Sequence, residues 1–136
     1  VSAVGGRYVD GDIDYEDLVF ANIRFENGTS GSISSSCCDF HGRNSGEVFF
    51  ERGTIYYDSI TAELRIARPD HDITSLPYDT IGADWEPGVR REIREFVAYC
   101  QGTGPLTIPG EEGKLNVAVC EAAYRSIREH QPVLLS

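Results

Sequence analysis

The residues best suited to chemistry in this chain are a few polar side chains with few obvious partners. His41 and Arg43 stand in Phe40-His41-Gly42-Arg43, directly after a strand-like run of small residues. An imidazole and a guanidinium at a strand end can hold a polar ligand through directed hydrogen bonds. The competing reading of this tetrapeptide is a solvated turn. His71 lies in Pro69-Asp70-His71-Asp72. There an aspartate–histidine pair could move a proton, but no nucleophile or metal ligand stands near it in sequence. His130 ends a helical pattern, where a positive charge suits the helix dipole. Asp10, Asp12 and Asp14 imitate the opening of a calcium loop. That pattern then fails, because Tyr15 stands where glycine is required and Ala21 where glutamate is required. The four cysteines are Cys37, Cys38, Cys100 and Cys120, without Cys-x-x-Cys spacing or nearby histidines. They read as reduced, cytoplasmic usage, with Cys100 and Cys120 acting as small hydrophobes on helix faces.

Composition narrows the function classes. A formal net charge of -10 argues against binding the phosphate backbone of nucleic acid. No apolar run approaches membrane-spanning length. With 136 residues and 40% hydrophobic content, the chain is sized for one globular domain, 1–136. It contains no methionine and begins at Val1, so it reads as a fragment of a longer protein. No glycine-rich dinucleotide fingerprint, phosphate-binding loop or serine-hydrolase elbow occurs. Gly102-Thr103-Gly104 follows a helix pattern and precedes Pro105, so it is a helix stop.

The elements that must position these side chains follow from periodicity. Residues 110–136 (GEEGKLNVAVCEAAYRSIREHQPVLLS) predict a helix, with Val117, Cys120, Tyr124 and Ile127 on one face and Leu115, Val119 and Ala123 beside them. Pro132 stops it, leaving Val133-Leu134-Leu135 as a brief strand or docked tail. Residues 1–9 predict a strand with a bulge at Gly5-Gly6. Residues 17–25 (DLVFANIRF) alternate: Val19, Ala21, Ile23 and Phe25 suit a core, while Leu18, Phe20, Asn22 and Arg24 leave the other face half apolar. Asn27-Gly28 signals a hairpin, and 29–37 is its serine-rich return strand. Residues 46–52, 54–58 and 60–68 continue the meander, with Ile60, Ala62, Leu64 and Ile66 alternating in the last. Residues 69–88 read as a long irregular stretch containing Trp85, and 89–101 as a helix. The expected fold class is α+β: an open, mostly antiparallel sheet of about six or more strands with two C-terminal helices packed on one face.

Several segments together resemble the C-terminal domain of the Gfo/Idh/MocA oxidoreductases, the glucose–fructose oxidoreductase and inositol dehydrogenase family. The resemblance is carried by Asp17, Ile23-Arg24-Phe25, Asn27-Gly28, Gly31 and Ser34-Ser35-Ser36 in the strand pair, and by Gly53-Thr54 in a later turn. It continues through Glu95-Phe96, Gly102, Pro105, Gly113, Glu121-Ala122-Ala123-Tyr124-Arg125-Ser126 and Pro132-Val133-Leu134-Leu135. It implies a parent enzyme whose N-terminal Rossmann domain binds NAD or NADP and carries a Glu-Lys-Pro-type motif with the catalytic lysine. This chain would then be the substrate-binding and oligomerisation domain, acting on a sugar or polyol and inactive alone. Neither the glycine fingerprint nor Glu-Lys-Pro occurs here, so no catalytic, cofactor or metal residue is carried over. His41, Arg43 and Trp85 are the candidate substrate-binding residues, from their positions. The half-apolar sheet face would pack in a homo-oligomer. The alternative is a stand-alone acidic α+β ligand-binding module.

Overall fold

The computed structural model describes every residue except Asp10, Ile13, His41, Ser59, Ala62, 78–84 and Ser136, and leaves the side chains of 77 and 85–88 undescribed. Among the described residues seven strands come first and two helices last. The α+β class and the antiparallel pairing are those expected. The strands, however, form a three-stranded sheet and a four-stranded sheet rather than one. No ladder links the third strand to the fourth. The segment joining them carries no tight-turn signal that would set a hairpin register. The chain correspondingly divides into two compact units, residues 1–40 with 108–136, and residues 41–107.

In the first unit β1 (Ser2–Gly6), β2 (Leu18–Arg24) and β3 (Ser30–Ser36) form a meander. β1 keeps a regular register through Gly5↔Val19 and Gly6↔Leu18, so the expected bulge is absent. Gly5 is required for a different reason. A Cβ there would lie 2.4 Å from the Leu18 carbonyl oxygen and 3.2 Å from Ile127 Cδ1. The glycine lets strand and helix approach closely. The β2–β3 connection is a three-residue turn: Phe25 N–H donates to Thr29 O, and Gly28 N–H to Phe25 O. Gly28 sits at φ 86, the left-handed position this turn needs.

The first helix, α1 (Trp85–Cys100), belongs to the second unit, and α2 (Gly110–Glu129) to the first. α2 packs on β1, with Ala3, Ala21 and Ala123 as the shared core and Val1, Val19 and Ile127 against them. Its buried residues are Ala122, Ala123 and Ser126. Of the expected stripe Ala123 is buried and Val119, Tyr124 and Ile127 are half-buried, while Val117, Leu115 and Cys120 are exposed. Small residues take the most deeply buried positions, and the bulkier Ile127 packs beside them. Val133 docks as a tail, exchanging backbone hydrogen bonds of 2.7 Å with Val1 in both directions.

The second unit holds β4 (Ser45–Phe50), β5 (Gly53–Asp58), β6 (Glu63–Ala67) and β7 (Thr74–Pro77) in sequential order. Its register sorts the faces. Val48, Ile55 and Ile66 share one, as do Tyr57, Leu64 and Leu76; Glu47, Tyr56, Arg65 and Ser75 share the other. β6 begins at Glu63, later than expected, because Ile60 and Thr61 turn around Asp58. β7 falls inside the stretch expected to be irregular, and α1 starts before Val89. Pro87 is tolerated within that helix because the first-turn N–H groups have no intrahelical partner.

Candidate functional site

Of the three residues expected to bind substrate, His41 lies outside the described residues, and Trp85 opens α1 with its side chain undescribed. Arg43 is placed. Its guanidinium donates to Asp58 Oδ2 at 2.6 Å. Asp58 ends β5 and is itself held by the turn that follows, with Ile60 N–H donating to Oδ1 at 2.8 Å. That backbone hydrogen bond, followed by the Thr61 N–H and the Arg43 guanidinium, holds the Asp58 carboxyl below the usual aspartate range despite an opposing effect of partial burial. The pair presents a cation whose orientation is fixed by a carboxylate. It can engage a ligand oxygen through the guanidinium N–H groups left over.

Among the described residues Asp17 is the most deeply held carboxylate, 2% exposed. It accepts from Tyr8 N–H at 2.9 Å and Val9 N–H at 2.8 Å, while its own carbonyl accepts from Cys37 N–H at 2.8 Å. It ties the β1–β2 connection to the start of β2 and the end of β3. Ser126 plays the matching part on the helix. At 1% exposure its hydroxyl accepts from Ala3 N–H at 2.9 Å and donates to Gln131 O at 2.7 Å. Sequence reasoning used Asp17 to open a strand and as part of a family pattern, and Ser126 only as part of that pattern. A lone serine on the stripe that also holds Ala122 and Ala123 was the available signal.

Between the inner face of the three-stranded sheet and α2 lies a groove of about 220 Å³, lined chiefly by Val19, Ala21, Ile23, Ile33, Val119 and Tyr124. Ligand sites run from about 300 to 1,000 Å³. The groove is smaller than that range, and the acidic residues Glu16 and Asp17 also stand at its lining. Cys37 and Cys120 stand at its wall as exposed free thiols, and Cys100 is exposed too, so neither helix cysteine is the packed small hydrophobe expected. The sheet's other face carries the row Val4–Phe20–Ser34, with Val4 and Phe20 67% and 50% exposed. Among the described residues no cluster of three His, Cys, Asp or Glu side chains is placed to hold a metal, and no helix is long and apolar enough to cross a membrane. Every described strand pairs antiparallel. The crevice between parallel strands of a doubly wound dinucleotide fold is therefore not formed by the described strands.

Residues 2–135 match the family described as the oxidoreductase family, C-terminal alpha/beta domain, of Gfo/Idh/MocA type, and the chain belongs to that family. Among solved structures it is similar to the WlbA dehydrogenase from Bordetella pertussis, determined in complex with NADH and UDP-GlcNAcA. The TM-score is 0.72 at 20% identity, over 99% of this chain and 42% of that one. The chain thus spans less than half the length of that dehydrogenase. At this identity the likeness speaks for the fold. No curated protein matches the sequence.

Proposed function

We propose that this chain is the substrate-binding and oligomerisation domain of an NAD(P)-dependent oxidoreductase acting on a sugar or polyol, and that it is inactive alone. The observation that supports this is the family match over residues 2–135, in a chain that spans only 42% of a dehydrogenase of the same fold. In this reading an N-terminal Rossmann domain holds the nicotinamide, and the present chain holds the substrate whose carbon exchanges a hydride with it. His41, Arg43 and Trp85 are the proposed substrate contacts. Arg43 is suited to this because Asp58 fixes its guanidinium while the side chain stays half exposed.

The face bearing Val4, Leu18 and Phe20 is proposed to pack against a second copy. Large apolar groups standing in water on a sheet are stabilised by a covering layer. Four unpaired cysteines suit a reducing, cytoplasmic setting. The test is a fluorescence titration with NADH, beside sedimentation of the same samples. The 136-residue chain is expected to sediment as an oligomer and leave NADH fluorescence unchanged, while the full product of its gene binds NADH saturably. Saturable NADH binding by the isolated chain would overturn the division of labour.

A further inference from the structure

The turn after β4 carries Glu51 and Arg52, and β6 runs out into Arg68-Pro69-Asp70-His71. These six residues line one open concavity of about 560 Å³, wholly inside the second unit. Backbone geometry brings them together. Gly53 lies so close to β6 that a Cβ would sit 2.6 Å from the Ala67 carbonyl oxygen. With Thr54 opposite Ala67, the turn holding Arg52 is pressed beside the strand end that leads to Arg68. Asp70 adopts φ 61, a left-handed conformation that aspartate tolerates better than most residues. His71 follows, with Nδ1 2.9 Å from Pro69 O. A carbonyl only accepts, so Nδ1 carries the proton and Nε2 is left to a ligand. Arg43, Arg65, Arg91 and Arg125 each pair with a carboxylate, whereas Arg52 and Arg68 form no ion pair among the described residues.

We infer that this concavity binds a sugar phosphate, with the phosphate between Arg52 and Arg68 and the sugar hydroxyls against Glu51, Asp70 and His71. Two guanidinium groups offer the planar, paired N–H donors that phosphate oxygens accept. Glu51 and Asp70 are acceptors. They repel a bare anion and accept from hydroxyls, so the group that satisfies both halves of the lining carries negative charge at one end and hydroxyls at the other. The volume lies within the range of small-ligand sites, about 300 to 1,000 Å³. This inference needs no nicotinamide and does not rest on the oxidoreductase reading.

The experiment is calorimetric titration of the 136-residue chain with glucose 6-phosphate, inorganic phosphate and glucose in turn. The variants Arg52→Gln and Arg68→Gln are titrated alongside, with circular dichroism verifying that both are folded. Saturable binding of glucose 6-phosphate is expected, about tenfold tighter than either fragment and about tenfold weaker in each variant, as for loss of one charge-assisted contact. Three results would overturn the inference: no saturation by the sugar phosphate, equal affinity for inorganic phosphate, or unchanged affinity in both folded variants.

Discussion

Ser126 shows how much one hydroxyl can organise. It sits at the centre of α2's buried stripe, satisfies the N–H of Ala3 and is itself satisfied by the carbonyl of Gln131. Removing it strands a buried donor and a buried acceptor. Ser126→Ala is therefore expected to lower the unfolding free energy by about 1–3 kcal/mol, measured by urea denaturation. Asp58 makes a pH-dependent counterpart in the second unit. Its folded pKa is depressed below 3.8, chiefly by the Ile60 N–H. A depressed carboxylate contributes stability above its unfolded pKa and loses it as pH falls through the folded value. Unfolding titrations below pH 3.8 should show a loss of stability in the native chain that Asp58→Asn reduces. At this scale the sequence was legible in part. The alternation of 17–25 put Ala21 in the core and Phe20 outside, as observed. The Arg43–Asp58 pair was not legible, because a long-range ion pair leaves no trace in local spacing.

Element boundaries show where local chemistry overrides periodicity. Ile60 continues the apolar alternation of β6 in sequence, yet Asp58 captures its N–H and delays the strand to Glu63. Helix α2 was legible from its period and its Pro132 stop. Its buried side was legible in part: Ala123 and Ile127 of the expected stripe meet the core, whereas Val117 and Leu115 are exposed and Ser126 is buried instead. The same helix ends on His130 at φ 53, a conformation that favours glycine. Both His130→Gly and His130→Ala remove the imidazole, so their difference isolates the backbone. Thermal and urea unfolding should find the glycine variant more stable than the alanine variant by about 1 kcal/mol.

For the whole molecule, the order of strands before helices was legible, and so was the family, from scattered motifs in the right order. The division into two compact units was not, since strand count does not say where a ladder is interrupted. The described ladders are antiparallel, and residues 2–135 belong to the C-terminal alpha/beta domain of an oxidoreductase family. The proposed role follows: hold a substrate while another domain holds the nicotinamide. The most direct test follows NADH absorbance with a panel of sugars and polyols, comparing the full product of the gene with the 136-residue chain alone. The account predicts nicotinamide-dependent turnover by the full product and none by the isolated chain. Turnover by the isolated chain, or a full product with no nicotinamide-dependent activity on any sugar or polyol, would contradict it.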